Sequence, residues 1–432
     1  MHFPFLKPLL FLSLLAIMAT AAKAQDEGLR YENYVYKDNI RSVRFHAPGV
    51  FLAQPIVELG RASQLLLSFD DLDGEVKDYT YTIVHCDMNW KPSDLSEMEY
   101  LEGYSENRVE EYSFSFKTIQ NYTHYEVLLP NENVRWTKSG NYLLKVYEDE
   151  SEKTLAITRR FMVVDQKVRI TAQVSRPAQV GKLETHQEVD FSVDFEHFPI
   201  RSPQQDVRAV ILQNGRWDNA VTGIAPLFVR VNTMVFDYQD KVVFAAGKEF
   251  RFIDLRSLRS YGQRVMAIDQ YPRDRYEVTL EKDEKRWNQV YLTSTDINGK
   301  YVIESADQND SDLAAEYAYV LFTLYSPEPY YEDDVYLTGA FSDWQLKPEY
   351  KMVYNPAVNG YVAKALLKQG YYNYAYAVAP RKKAASPAPL NLGEIEGNWY
   401  EAENEYTILL YYRPFGSRHD ELISTLSFSS TR

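Results

Sequence analysis

Strict alternation of apolar and polar side chains is the feature that most restricts the fold of this chain. Residues 191–196 read Phe-Ser-Val-Asp-Phe-Glu, which places every apolar side chain on one face and every polar side chain on the other. A period of two predicts a half-buried β-strand, and long helical periodicity is nearly absent. The same pattern predicts strands at residues 79–86, 142–147, 161–164, 207–212, 319–324 and 407–412. The sequence therefore predicts an all-β protein.

Turn signals between these strands predict the type of β fold. Asn-Gly pairs at residues 214–215, 298–299 and 359–360 accept the positive φ angles of a type I′ turn. The second pair would join strands at residues 291–293 and 301–303. Strands and turns at this spacing are typical of immunoglobulin-like sandwiches. Polar residues after Val164 and the acidic run 307–312 divide the chain into three tandem units, 25–165, 166–312 and 313–432.

The first 24 residues have the pattern of a secretory signal peptide. Lys7 supplies a positive charge, residues 9–19 form an apolar run, and Ala22-Lys23-Ala24 is a small-residue cleavage site. The apolar run is too short to span a bilayer, which takes about 20 residues, and no later stretch has the pattern of a transmembrane helix. We expect cleavage after Ala24, export, and no insertion into a membrane.

Charge and cysteine content narrow the range of partners. Loss of Lys7 and Lys23 with the signal peptide lowers the 47 basic residues to 45 against 61 acidic ones, a formal charge of −16. An acidic chain repels nucleic-acid phosphates and anionic lipids, so we expect neither as a partner. Cys86 is the single cysteine, so no intrachain disulfide forms and each unit depends on its own core.

Reactive side chains are present, but no catalytic motif is. His85-Cys86-Asp87 has residue types that bind metals or act as nucleophiles, yet adjacent strand residues point to opposite faces. We therefore expect a buried Cys86 and a core or edge His85. The acidic runs 307–312 and 332–334 could bind calcium weakly; the alternative is a solvated linker. We expect no enzyme activity and no cofactor.

Two groups of long segments lie at opposite ends of the chain. The first comprises residues 85–95 (His-Cys-Asp-Met-Asn-Trp-Lys-Pro-Ser-Asp-Leu), Pro130-Asn131 and Ser139-Gly140-Asn141-Tyr142; the second comprises Lys368-Gln369-Gly370-Tyr371-Tyr372-Asn373-Tyr374, Glu396-Gly397-Asn398-Trp399, Glu403-Asn404-Glu405-Tyr406 and Tyr411-Tyr412-Arg413-Pro414. Together they resemble the plug proteins of the type IX secretion system of Bacteroidota. The resemblance implies a non-enzymatic periplasmic protein that binds the periplasmic mouth of the large outer-membrane translocon barrel and seals it when idle. We expect a monomer before docking.

A second resemblance concerns the C-terminal unit. Residues 335–344, Val-Tyr-Leu-Thr-Gly-Ala-Phe-Ser-Asp-Trp, are similar to the opening of a glycogen-binding starch module. The resemblance implies that Trp344 and Trp399 stack on sugar rings, although Ala375 replaces the strand lysine of such modules. The alternative function is therefore an exported carbohydrate-binding protein. The alternative role for Trp344 is to cap the sandwich core, with only the fold shared.

Overall fold

The computed structural model describes residues 28–149, 153–272, 274–381 and 390–431. The predicted signal peptide, residues 1–24, lies outside these residues. The described residues form mostly antiparallel sheets that pack in pairs around hydrophobic cores. The predicted all-β sandwich fold is confirmed. Among the helices in these ranges, none is long and apolar enough to cross a membrane.

The first sandwich encloses one core between two sheets. Its strands are β1 Tyr34–Val35, β2 Ile40–His46, β3 Ile56–Glu58, β4 Leu65–Asp71, β5 Tyr79–Cys86, β6 Leu101–Gly103, β7 Glu106–Arg108, β8 Glu111–Phe114, β9 Thr123–Leu129, β10 Val134–Trp136, β11 Gly140–Glu148 and β12 Thr154–Val164. The strand orders are β1-β12-β11-β5-β7, with β3 parallel to β12, and β2-β4-β9-β8; β6 pairs with β10. Phe69, Tyr79 and Tyr125 join the two sheets, with ring centroids 4.8 to 5.2 Å apart.

The second sandwich draws its strands from two distant parts of the chain. They are β13 Arg169–Ser175, β14 His186–Asp194, β15 Val207–Gln213, β16 Val221–Ile224, β17 Phe228–Arg230, β18 Thr233–Phe236, β19 Val243–Ala245, β29 Glu405–Tyr412 and β30 Glu421–Ser429. One sheet has the order β13-β14-β18-β17, with β19 on β14, and the other β16-β15-β29-β30. Stacked rings of Phe191 and Phe236, 4.3 Å apart, lie in its core.

The third sandwich is formed by the residues between β19 and β29. Its strands are β20 Arg251–Asp254, β21 Val265–Tyr271, β22 Arg275–Leu280, β23 Tyr301–Ile303, β24 Tyr317–Tyr325, β25 Asp333–Thr338, β26 Val353–Asn355, β27 Gly360–Lys368 and β28 Gly370–Pro380. The orders are β21-β22-β24-β27-β26 and β20-β28-β23, with β25 also on β28. Phe322 of β24 packs on Tyr374 of β28, which joins the sheets.

The helices are single turns placed between strands. The α-helical turns are Glu97–Tyr100, Pro203–Asp206, Ser311–Ala314 and Gly393–Glu396, and the 3₁₀ turns are Val180–Lys182, Ala340–Ser342, Pro348–Tyr350 and Pro356–Val358. Each is too short to bury an apolar stripe of its own. The cores therefore depend on the sheets.

The structure divides the chain differently from the predicted units 166–312 and 313–432. Strands β20 to β23, which precede residue 307, contribute to the third core, and β29 and β30 complete the second. Val207 of β15 lies opposite Tyr412 of β29. The third sandwich is thus an insertion into the second. Alternation shows that a strand has a buried face, but it does not encode which sheet the strand joins.

A buried ion pair joins the first and third sandwiches. Nζ of Lys368 lies 2.6 Å from Oδ2 of Asp70, and neither side chain is exposed. Asp70 is also 2.6 Å from Nδ1 of His124 and accepts a 2.6 Å hydrogen bond from the hydroxyl of Tyr317. Burial alone would raise the pKa of Asp70, but Lys368 and His124 outweigh this effect and lower the pKa to about 2. Asp70 is therefore a carboxylate at neutral pH.

We expect the Lys368→Met variant to lose about 3–5 kcal/mol in the free energy of unfolding, because the buried carboxylate of Asp70 would lose its ammonium partner and keep only His124 and the Tyr317 hydroxyl. Lys364→Met is the matched control on the same strand. Its ammonium pairs with Glu277 at the surface, with 44% of the Lys364 side chain exposed, so we expect a loss below about 1 kcal/mol. Urea unfolding measures both; equal losses would contradict the role of the buried pair.

Candidate functional site

The segment 85–95 lies at the junction of the first and second sandwiches. Its Trp90 meets Trp217 of the second sandwich edge to face, with ring centroids 5.0 Å apart. The guanidinium of Arg160 lies 4.4 Å from the Trp90 ring centroid and 5.1 Å from that of Trp217, a favourable cation–π arrangement. The junction core also includes Cys86, Leu143, Met162, Val164, Val210, Leu212, Leu409, Tyr411 and Leu422.

Hydrogen bonds fix the register of this junction. The Tyr411 hydroxyl donates to Oδ1 of Asn141 at 2.7 Å, and the Asn141 amide donates to the Asp87 carbonyl at 3.0 Å. The N–H of Met88 donates to Oδ2 of Asp420 at 2.8 Å. Buried polar groups that are satisfied only across an interface make one arrangement much more stable than others. The first and second sandwiches are therefore held in one orientation.

His85 and Cys86 point to opposite sides of β5. Nδ1 of His85 lies 2.9 Å from Oγ of Ser93 and its ring meets Tyr142 in the first core, whereas Cys86 faces the junction. Burial lowers the pKa of His85 to about 4 and raises the pKa of Cys86 to about 12. A neutral imidazole and an un-ionised thiol on opposite faces do not form a nucleophilic pair.

The carboxylates of the acidic run 307–312 bind neighbouring parts of the protein and do not form an open cluster. Asp307 accepts the N–H of Leu258 at 2.8 Å. Asp310 caps the turn Ser311–Ala314 by accepting two backbone N–H groups. Asp312 forms a 2.6 Å ion pair with Arg44 of the first sandwich. In the second predicted run, Asp334 is 2.6 Å from Lys351. Each of these carboxylates already has a local partner.

Trp344 lies between the second and third sandwiches. The guanidinium of Arg216 sits 4.6 Å from its ring centroid, and Phe250 meets it at 5.6 Å. A Cβ on Gly299 would lie 2.5 Å from the ring, so the glycine of the predicted Asn-Gly turn permits this close approach. The half-buried indole therefore has neighbours from both sandwiches, which is the arrangement of a junction residue.

Trp399 occupies a different, more open position. It is 36% exposed and stacks on Tyr291, with centroids 5.7 Å apart and planes at 16°. Trp344 contacts Arg216 and Phe250, whereas Trp399 contacts Tyr291. The two tryptophans therefore have different surroundings, and their role as a sugar-binding pair stays a prediction.

Trp399 and Tyr291 belong to an exposed apolar surface, the aromatic loop patch, defined as Trp287, Val290, Tyr291, Leu292 and Trp399. Val290 is 86%, Leu292 80% and Trp287 58% exposed. Residues 291–293, predicted as a strand, form no strand; β23 pairs with β28 instead. An exposed cluster of tryptophan, tyrosine and aliphatic side chains is typical of a protein-binding surface. The signal for it was the run Trp-Asn-Gln-Val-Tyr-Leu at 287–292, which lacks a buried face.

The loop that carries the patch is anchored at its first end by a charged network. Arg286 pairs with buried Glu396 at 2.7 Å, and its N–H donates to the carbonyl of Ile395 at 2.7 Å. The ammonium of Lys248 donates to the carbonyls of Arg286 and Gln289 at 2.7 and 2.8 Å. These bonds hold the backbone on either side of Trp287.

The second end is anchored by Asp296 and Asn373. Asp296 accepts the N–H groups of Phe250 and Asn298 at 2.5 and 2.9 Å, and Asn373 accepts that of Ile297 at 2.7 Å. Burial raises the pKa of Asp296 to about 6, even though the two N–H bonds oppose the shift. Fixed ends with an exposed apolar middle pre-organise the patch, which lowers the entropy cost of binding.

Comparison with known proteins identifies the family. Residues 40–165, which span nearly all of the first sandwich, match the family model described as the type 9 secretion system plug protein 1st domain. The chain belongs to the type IX secretion system plug protein family. The resemblance inferred from the two groups of signature segments is thereby confirmed, and the family implies a periplasmic or secretion-related location.

Solved structures extend the comparison beyond the first sandwich. The crystal structure of a hypothetical protein from Parabacteroides merdae ATCC 43184 is 34% identical, covers 93% of this chain and 100% of that chain, and has a TM-score of 0.88. Trypsin-activated alpha-2-macroglobulin from Escherichia coli is 9% identical over 90% of this chain and 28% of that chain; its TM-score of 0.16 carries no argument. No curated protein sequence matches the chain.

We expect maltooligosaccharides to give no saturable heat on titration into the chain, because Arg216 and Phe250 cover the ring of Trp344. The Trp344→Ala variant should instead lose about 3 kcal/mol in the free energy of unfolding, since a large half-buried ring is removed. Trp399→Ala, at an exposed position, should lose less than about 1 kcal/mol. Isothermal titration and urea unfolding measure these effects. A saturable heat that Trp344→Ala abolishes would favour carbohydrate binding instead.

Proposed function

We propose that this protein is a non-enzymatic plug that binds the periplasmic mouth of the type IX secretion translocon barrel and seals it when no substrate is moving. Its membership of the plug family and its predicted export signal support this role. A barrel wide enough for folded substrates would leak between transport events, so a periplasmic stopper has a clear physical purpose.

The observation that carries the proposal is the locking of the three sandwiches to one another. The first and third share the buried pair of Asp70 and Lys368. The first and second share the core around Trp90. Arg216 of the second packs on Trp344 of the third. A stopper must resist deformation, because a leak opens wherever two of its parts separate.

Reversible docking sets limits on the contact surface. The plug must leave when substrate moves, which favours a moderate, largely polar interface with a small apolar centre. The aromatic loop patch fits this description: the exposed Glu401 lies beside it and accepts a hydrogen bond from Trp399, while the buried Glu249 accepts one from Tyr291. We propose that this patch is the apolar centre of the barrel contact and that the acidic surface around it favours release.

We expect a tagged pull-down from detergent-solubilised membranes to recover one very large outer-membrane barrel. The Leu292→Asp variant should recover at least about tenfold less, because docking would bury a carboxylate in the apolar centre. Val353→Asp is the control: Val353 is 66% exposed on the edge strand β26, outside the patch. Mass spectrometry and immunoblotting measure recovery. Failure of the wild-type chain to recover a barrel would contradict the plug function. Equal recovery by Leu292→Asp would contradict only the proposal that the aromatic loop patch contacts the barrel.

Deletion of the gene should raise the permeability of the outer membrane to large antibiotics, because the idle barrel would be left open. Complementation with the wild-type chain should restore resistance, and complementation with Leu292→Asp should restore it only partly. Minimum inhibitory concentrations measure the effect, with a small antibiotic that uses ordinary porins as the control. Unchanged sensitivity to large antibiotics in the deletion strain would count against a sealing role.

A further inference from the structure

Three carboxylates meet on the outer face of the second sandwich. Glu188 and Asp190 alternate with the core residues Val189 and Phe191 along β14, so their side chains share the face opposite the core. Asp237 follows β18, which pairs with β14 through Phe191 and Phe236. One carboxylate oxygen from each of Glu188, Asp190 and Asp237 lies within 4.8 Å of the other two. We call this cluster the carboxylate triad.

Two oxygens of the carboxylate triad are buried without a partner. Glu188 is only 4% exposed, and its Oε2 has no hydrogen-bond donor. Oδ1 of Asp190 is also buried and has no hydrogen-bond donor, while its Oδ2 accepts a 2.6 Å hydrogen bond from Ser175. A buried carboxylate oxygen that faces other carboxylates and lacks a donor is costly, because neither water nor protein compensates its charge. The arrangement needs a cation to be stable when ionised.

No basic side chain supplies that cation. Within the described ranges, no ion pair of 4.0 Å or less involves a member of the triad. Lys241 lies over the ring of Tyr238, 4.3 Å from its centroid, and Arg176 pairs with Glu184 at 2.9 Å. Burial and then the charge of Asp190 raise the pKa of Glu188, a hydrogen bond from the backbone N–H of Ala178 opposes the shift, and Asp237 and Asp240 add to it.

A second acidic cluster shows the contrast. His124, Glu126 and Asp312 also bring three potential ligand atoms within 4.8 Å. Asp312, however, is 2.6 Å from the guanidinium of Arg44, and His124 is 2.6 Å from Asp70, which Lys368 already neutralises. Cations of the protein itself occupy that region, so a metal ion would meet repulsion there. The carboxylate triad has no such competitor.

We propose that the carboxylate triad binds one calcium ion. Ca²⁺ takes oxygen ligands at about 2.3–2.6 Å, so two ligands on opposite sides of one ion lie about 4.6–5.2 Å apart. Ligands of one ion can lie no farther apart than this, and the three oxygens of the triad, all within 4.8 Å of one another, meet that condition. An exposed Asp237 leaves room for waters and for Asp240 to complete the flexible shell of six to eight ligands that Ca²⁺ accepts.

The ion would tie the end of a surface hairpin to the sheet. Strands β17 and β18 form this hairpin, and it exposes Phe228 at 54% and Val231 at 93%. Asp237 lies directly after β18, so a bridge from Asp237 to β14 would hold the hairpin against the sandwich.

Isothermal titration of CaCl₂ into residues 25–432, freed of metal with a chelator, tests the proposal. We expect one saturable site with a Kd of about 10⁻⁴–10⁻³ M, as in other extracellular calcium modules. Glu188→Gln and Asp190→Asn should each weaken it at least about tenfold, since each removes a charged ligand. Glu196→Gln is the matched control, because Glu196 is exposed on the loop after β14 and lies outside the triad.

Calcium binding by the wild-type chain, its loss in the triad variants and its preference over Mg²⁺ are the three results that the proposal requires. The proposal is overturned if the wild-type chain shows neither saturable heat nor a rise in Tm at about 10 mM CaCl₂. It is also overturned if both triad variants bind calcium as tightly as the wild type. Equally tight binding of MgCl₂ would overturn the assignment to calcium, because Mg²⁺ requires a small octahedral shell. Both triad variants should remain folded by circular dichroism, since each removes like-charge repulsion without adding bulk. The wild-type titration decides the matter even if one of them unfolds.

Discussion

The contact between Asp70 and Lys368 is the constraint on which the arrangement of the molecule depends. Each charge loses its hydration on burial; Lys368 of the third sandwich compensates Asp70, together with His124 of the first. The two sandwiches in a slightly different orientation would bury the ammonium and the carboxylate without this contact. A core of apolar side chains tolerates sliding far better than such a pair does, because dispersion contacts have little directionality. The pair therefore specifies orientation more than it adds stability.

The segments that carry the family resemblance lie at such junctions. Residues 85–95 supply Trp90 and the backbone of Asp87 and Met88 to the contact between the first and second sandwiches. Lys368 opens the segment 368–374 and reaches into the first sandwich. Asn373 of the same segment accepts the N–H of Ile297 and so anchors one end of the loop that carries the aromatic loop patch. In this chain, segments that carry the resemblance thus join the sandwiches to one another.

The sequence predicted the elements better than their connections. Alternation at residues 191–196 located a strand with one buried face, because that property is local. The run 407–412 also marked a strand, but β29 is buried on both faces, by the second core and by the junction core. It did not reveal that β29 joins β15, since the partner of a strand depends on packing across two hundred residues. The opposite faces of His85 and Cys86 followed from strand geometry alone. The environment of Trp344 could not be predicted from the sequence, because Arg216 reaches it from another sandwich.

The carboxylate triad could not be predicted for the same reason. Asp237 is 47 residues from Asp190, and only the register of β14 with β18 brings them together.

The insertion of the third sandwich into the second determines when the protein can become complete. A chain that emerges from an export channel in order presents β13 to β19 long before β29 and β30. Until residues 405–429 arrive, one edge of β15 lacks its partner strand and the second core lacks the side chains of β29 and β30. The second core can therefore close only after the residues of the third sandwich, which precede β29, have been made. The final two strands are therefore a latch: the second sandwich, and with it the contacts that lock all three sandwiches, is complete only when residues 405–429 are in place.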